Sequence, residues 1–151
     1  MLIEFEIKGA GEFKTQLESI KERLKNKDAM LEIVANPIYD LTREAFANGS
    51  SYDGTPWQRL KPSTLKYKKD SKMLYDSGDL QRSLAIGKNG DEVWVGVNAS
   101  SKGFQYGLSH QFSSDKRHIP ARPFLPMDDE GEVYQDVIDD IVEMLSDYLL
   151  S

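Results

Sequence analysis

Apolar positions recur along this chain with two different periods, and those periods divide it into elements. Near the start, Leu2, Ile3, Phe5 and Ile7 are interleaved with Glu4, Glu6 and Lys8 before Gly9-Ala10-Gly11. That near-alternation predicts a short strand closed by a turn. Phe13, Leu17, Ile20 and Leu24 follow at spacings of four, three and four, which places them on one face of a helix. Lys and Arg crowd its last turns, where cations complement the helix dipole. A second helical stretch, from about Asp28 to Asn48, turns Leu31, Val34, Ile38, Leu41 and Ala45 or Phe46 inward. Asn36-Pro37 lies within it; Asn can cap a helix and Pro suits a first helical position, so the pair marks a kink or a restart.

From residue 49 to 74 the periodicity stops. Gly49 to Pro56 is dense in turn formers and predicts a long loop, with Ser63 capping a short basic helix after Pro62. Ser77 or Asp79 opens a helix containing Leu80 and Leu84. Gly87-Lys88-Asn89-Gly90 predicts a hairpin turn between a short Ala85-Ile86 strand and the stronger strand Glu92 to Asn98. After another loop, Tyr106 and His110 lie four apart and share a helix face, and Ser113 to Pro126 is a loop with three prolines. In the last element Val133, Val137, Ile141, Leu145 and Tyr148 or Leu149 repeat every three to four residues with acids between them. They predict an amphipathic helix of about five turns, with Asp128 and Asp129 near its positive end. No internal repeat or second domain is visible. The pattern predicts one domain over residues 1 to 151, of class α+β: three to four helices packed on a small antiparallel β-sheet, with long loops.

Composition narrows the chemistry. The chain of 151 residues has no cysteine, which removes disulfides, thiolate nucleophiles and cysteine-based zinc sites. No apolar run approaches the roughly 20 residues that a membrane span needs, and the alternating N-terminus is not a secretory leader. A cytoplasmic product is therefore expected, unless it is packaged into something else. The net charge of −6 hides an asymmetry: Asp128 to Ser151 holds nine acids and no Lys or Arg. Arg59 to Lys72, in contrast, carries six basic residues and one acid. This split argues against a sequence-specific DNA binder, which presents a dominant basic face, and suits subunits that meet through unlike charges.

Candidate catalytic groups are sparse. The two histidines, His110 and His118, are accompanied by no Gly-x-Ser-x-Gly elbow, no His-Glu-x-x-His pair and no phosphate-cradling glycine loop. His110 reads better as a helix residue packed with Tyr106 and hydrogen-bonded to a loop than as a catalytic base. No cofactor is implied. The acids of the final helix lack the spacing of a cation-binding loop and read as a solvated or partner-facing surface. Trp57, Tyr67 and Tyr75 are interleaved with the basic loop, a weak nucleic-acid signature that leaves non-specific DNA contact open. Trp57 could equally anchor its loop in a pocket. The Ser113 to Pro126 segment, with Lys116, Arg117, His118, Arg122 and Phe124, suits either a rigid arm that docks on a neighbour or a loop that closes over its own core.

The order of these fragments carries a resemblance. Phe46 is followed by Gly54-Thr55-Pro56-Trp57, by Leu60-Lys61-Pro62-Ser63-Thr64-Leu65 with a basic run, and by Leu74-Tyr75-Asp76-Ser77-Gly78-Asp79-Leu80. Val93 to Val97, Tyr106 with His110-Gln111-Phe112, and Ile119-Pro120-Ala121-Arg122-Pro123-Phe124-Leu125 complete the series. Over roughly residues 40 to 127 this resembles the phage virion morphogenesis family, which includes tail completion proteins of Mu-like phages. The chain departs from the family pattern at Ser113, where Gly is common, at Gly107, where Ala is usual, and at Ser77, where Thr is commoner. The resemblance implies a non-enzymatic structural protein of tail completion or head–tail joining, forming a ring and contacting other head or tail proteins. It would be made in the bacterial host cytoplasm and reside in the virion. The residues expected to meet partners are Trp57, Arg59, Lys61, Lys66, Lys68, Lys69, Lys72, Arg122 and Phe124. The competing reading is a small nucleic-acid-binding or hydrolytic protein that uses the Trp57 to Lys72 loop with His110.

Overall fold

Two helices joined at a single residue begin the described chain. The structure is a computed structural model that describes residues 10–68, 71–75, 78–100, 102 and 104–151, so the strand expected over residues 2 to 8 lies outside it. Helix α1 (Ala10–Lys25) and helix α2 (Lys27–Asn48) meet at Asn26, whose side-chain oxygen accepts the Ala29 amide at 3.1 Å and caps α2. Helix α2 runs through Pro37 without a break. An interior proline costs about 3 kcal/mol; packing of the face that buries Ala35, Thr42, Ala45 and Phe46 offsets it. Gly49 ends the helix at φ 63°, and its amide closes on the Ala45 carbonyl.

The basic loop contains one helical turn, α3 (Pro62–Leu65), and a second, α4 (Asp79–Arg82), precedes the hairpin. Neither has a side-chain cap: Pro62 itself starts α3 in place of the capping expected from Ser63, whereas α4 begins at Asp79 as expected, after Gly78 at φ 85°. Ser77 lies outside the described residues. Strands β1 (Ala85–Asn89) and β2 (Glu92–Gly96) pair antiparallel from Ala85↔Gly96 to Asn89↔Glu92. The turn is therefore Gly90-Asp91, and the expected turn residues Gly87 and Lys88 belong to β1. Gly87 is needed there because a Cβ would fall 1.9 Å from the Trp94 ring that crosses it. Lys27 to Asp91 (2.6 Å) and Lys88 to Glu32 (3.1 Å) tie the hairpin to α2.

Helix α5 (Tyr106–Phe112) and helix α6 (Gln135–Leu150) complete an α+β fold of six helices and one two-stranded antiparallel sheet among the described residues. Helix α6 starts later than the acids suggest. The Asp128 carboxylate accepts the Glu130 and Glu132 amides, and Gly131 has φ 84°, so residues 128–132 form a turn. The core gathers Ala45, Phe46, Trp57, Leu80, Ala99 and Phe124, with Phe46 stacked on Phe124 at 5.0 Å and edge-on to Trp57 at 6.3 Å. Val137 and Ile141 of α6 are buried as well. Helix α1 reaches α6 at their C-terminal ends, where Arg23 Nη1 donates to the Leu149 carbonyl and Tyr148 Oη donates to the Arg23 carbonyl. Its expected inward face is consequently open: Phe13 is 62%, Leu17 44% and Leu24 48% exposed, with Ile20 half-buried. No helix among the described residues is long and apolar enough to cross a membrane.

Candidate functional site

The residues singled out by pattern converge where the basic loop, α5 and the proline-rich segment meet. Trp57 follows the Gly49–Pro56 turns and enters the core, where its Nε1 donates to the Pro123 carbonyl at 2.8 Å. Two residues of α5 hold the other side of the segment. The His110 carbonyl accepts the Arg122 amide at 2.7 Å. The Gln111 side-chain oxygen accepts the Phe124 and Leu125 amides at 3.0 and 2.9 Å, while its Nε2 donates to the Leu125 carbonyl at 3.2 Å. Of the two readings open from sequence, the segment closes over the subunit's own core. Trp57 (4% exposed) and Phe124 (1%) are core residues of the isolated chain.

Arg122 is also buried, at 6% exposure. Its Nε donates to the Gln58 carbonyl at 2.8 Å and its Nη2 to the Arg59 carbonyl at 3.3 Å. Burial lowers its pKa, since the charged form loses hydration. The rest of the basic set divides. Arg59, Lys61 and Lys66 are exposed. Lys68 is half-buried and donates to the Lys72 and Tyr75 carbonyls at 2.8 and 2.5 Å, which folds the loop back on itself. The Lys72 ammonium sits 4.3 Å over the Tyr75 ring. Lys69 lies outside the described residues.

Between this loop, α4, α5 and Arg122 lies a cavity of about 930 Å³, lined among others by Tyr67, Leu80, Tyr106 and His110. The His110 ring meets Tyr106 edge-on at 6.3 Å, as their spacing predicts. The hydrogen bond to a loop expected of His110 is made by its backbone carbonyl, and its buried Nδ1 has no partner among the described residues. Burial, and then the charge of Arg122, lower the His110 pKa and favour neutral imidazole. Among the described residues no carboxylate is bonded to the Nδ1 of that ring, and no group of three or more His, Cys, Asp or Glu is able to hold a metal. His118 is exposed at φ 54° on a turn whose Arg117 lies 3.7 Å over the Phe104 ring.

Sequence reasoning missed Gln111, the residue that fastens the proline-rich segment. The only available signal was its place inside the His110-Gln111-Phe112 element. The acidic surface is where the pattern put it: Asp139, Asp140, Glu143 and Asp147 are exposed on α6, and Asp136 accepts the Tyr52 hydroxyl at 3.2 Å.

The sequence profile described as the phage virion morphogenesis family matches residues 10–146. The chain is similar to the Mu-like prophage FluMu G protein 2 of Haemophilus influenzae, 28% identical over 91% of this chain and 95% of that protein. No solved structure matches.

Proposed function

The chain belongs to the phage virion morphogenesis family, and from that premise we propose that it is a structural subunit of tail completion or head–tail joining, assembling as a ring and binding other head or tail proteins. The observation that carries the proposal is apolar surface left open on two helices: Phe13 and Leu17 on α1, and Ile138, Val142 and Met144 on α6. Exposed apolar side chains gathered on helices mark surfaces that bury against other chains. The separation of basic loop from acidic helix suits contacts in which unlike patches meet, as a closed ring requires. Such a subunit works by association, in the virion, after synthesis in the bacterial host cytoplasm, and needs no catalytic residue or cofactor.

Electron microscopy of the purified chain, alone and with phage head and tail fractions, tests this. Rings, or particles carrying the chain at the head–tail junction, are expected. A chain that stays monomeric and joins neither fraction would overturn it. A second reading, non-specific DNA contact, rests on the exposed cations Arg59, Lys61 and Lys66 beside Tyr67, which is 90% exposed and free to stack on a base. Trp57 cannot share that role while it fills the core. Salt-sensitive retention of a single-stranded oligonucleotide, lost in Tyr67→Ala, is its signature.

A further inference from the structure

The cavity beside α5 is built from groups that the rest of the subunit leaves unused. Arg122 is buried, yet no carboxylate lies within ion-pair distance of it among the described residues. Its bonds to the Gln58 and Arg59 carbonyls engage Nε and Nη2 and leave Nη1 without a hydrogen-bond partner among the described residues. Uncompensated burial of a charge is costly, so a guanidinium kept on the wall of a cavity calls for an anion. The neighbouring groups are of the same kind. The buried Nδ1 of His110 has no partner among the described residues, and the hydroxyl-bearing Ser63, Thr64, Tyr67 and Tyr106 line the same cavity. Among the described lining residues the one acid, Asp79, is paired with Arg82.

We propose that this cavity receives carboxylate side chains from a second copy of the chain, supplied by the turn at residues 128–132. That turn is ordered by Asp128 and leaves Asp129, Glu130 and Glu132 exposed, and none of its residues lines the cavity of its own subunit. A cavity of about 930 Å³ accepts a few side chains. Arg122 takes the carboxylate through its guanidinium edge, and the surrounding hydroxyls donate to the same anion. A nucleic-acid phosphate would call on the same guanidinium, and the oligonucleotide arm of the test separates the two occupants. Turn and cavity are different patches of one subunit, so the contact is head-to-tail and can close a ring. The inference rests on the ring-subunit reading and names the contact by which copies would join.

Its test uses the full chain, with His110 and His118 as the two imidazole reporters in the sequence. A peptide of sequence Pro126 to Tyr134 is titrated into labelled protein and followed by NMR. Saturable shifts at His110 with none at His118 are expected. Exchange of the peptide's acids for amides should weaken binding by about tenfold or more, because hydrogen bonds to a charged group are the stronger ones. Arg122→Gln removes the guanidinium but risks the fold. Tyr67→Ala changes an exposed residue and should weaken binding by roughly threefold to tenfold through one lost hydrogen bond. Three results overturn the proposal: no His110 shift at millimolar peptide, equal binding of the amide peptide, or an equal shift from inorganic phosphate or an oligonucleotide at the same concentration. None of these disturbs the reading as a tail or neck subunit, which the microscopy decides separately.

Discussion

Ser113 ends α5 at φ 76° and ψ 168°, a region that essentially only glycine occupies without strain. The sequence already marked this position, because glycine is common there in the family that the chain resembles. The structure supplies the reason: the chain must reverse to bring the proline-rich segment back onto α5. Ser113→Gly should release strain of about 1–3 kcal/mol and cost about 0.5–1 kcal/mol in unfolded-chain entropy. A net gain near 1 kcal/mol, and a melting temperature higher by a few degrees, is expected in thermal unfolding. A variant that melts at or below the parent temperature would show that no strain is stored at Ser113. His110 gives a second residue-scale test. Its pKa is lowered in the fold, so the unfolded chain binds the proton more readily. Stability should then rise with pH as the medium passes upward through about 6.5, the unfolded value, and be lost progressively below it. Urea midpoints between pH 5 and pH 8 should show this slope in the parent and a shallower one in His110→Gln. The shared face of Tyr106 and His110 was legible from their spacing. The unpartnered Nδ1 was not, because it depends on what tertiary packing places around the ring.

At the scale of elements, periodicity identified helices and faces but not what covers them. Phe13, Leu17 and Leu24 do share a face of α1, yet among the described residues the hydrogen bonds from α1 to α6 lie near its C-terminal end, and no local pattern encodes that contact. Pro37 illustrates the opposite case, in which burial of one face carries a helix through a residue that locally argues for a break. The hairpin was found, but its turn was placed over Gly87 to Gly90 and not at Gly90-Asp91, because Asn-Gly is a strong local signal, whereas the register is set by Trp94 lying over Gly87 and by the two ion pairs to α2. The hold of α5 on the proline-rich segment was invisible, since Gln111 bonds backbone groups 13 and 14 residues away. Gln111→Leu keeps the volume but strips the acceptor from the Phe124 and Leu125 amides. Leaving buried amides unpaired costs about 1–3 kcal/mol each, so destabilisation of roughly 3 kcal/mol is expected in denaturant unfolding. A loss under about 0.5 kcal/mol, the range of ordinary surface changes, would mean that the core alone holds the segment.

For the molecule as a whole, the division into a basic loop and an acidic helix was plain in the sequence, because charge can be counted without knowing the fold. Which cations are available to a partner was not plain. Lys68 ties its own loop through the Lys72 and Tyr75 carbonyls, and Arg122 is buried, whereas Arg59, Lys61 and Lys66 stand in solvent. Those three are therefore the residues to reverse, since replacing Lys68 would also disturb the loop. Exposed pairs contribute only about 0–1 kcal/mol each, so these charges should set orientation and encounter rate while apolar side chains of α1 and α6 supply most of the affinity. Arg59→Glu, Lys61→Glu and Lys66→Glu together should leave the melting temperature almost unchanged and slow assembly at low salt. In the parent, assembly should slow as salt rises, because screening shortens the reach of exposed charges to about 8 Å at physiological ionic strength. In the triple variant, added salt should restore part of the rate by masking repulsion from the acidic helix. Analytical ultracentrifugation and light scattering across a salt series read both responses. Equal assembly rates for parent and variant at low salt would remove the basic loop from the contact and leave the apolar faces of α1 and α6 as the surface that joins subunits.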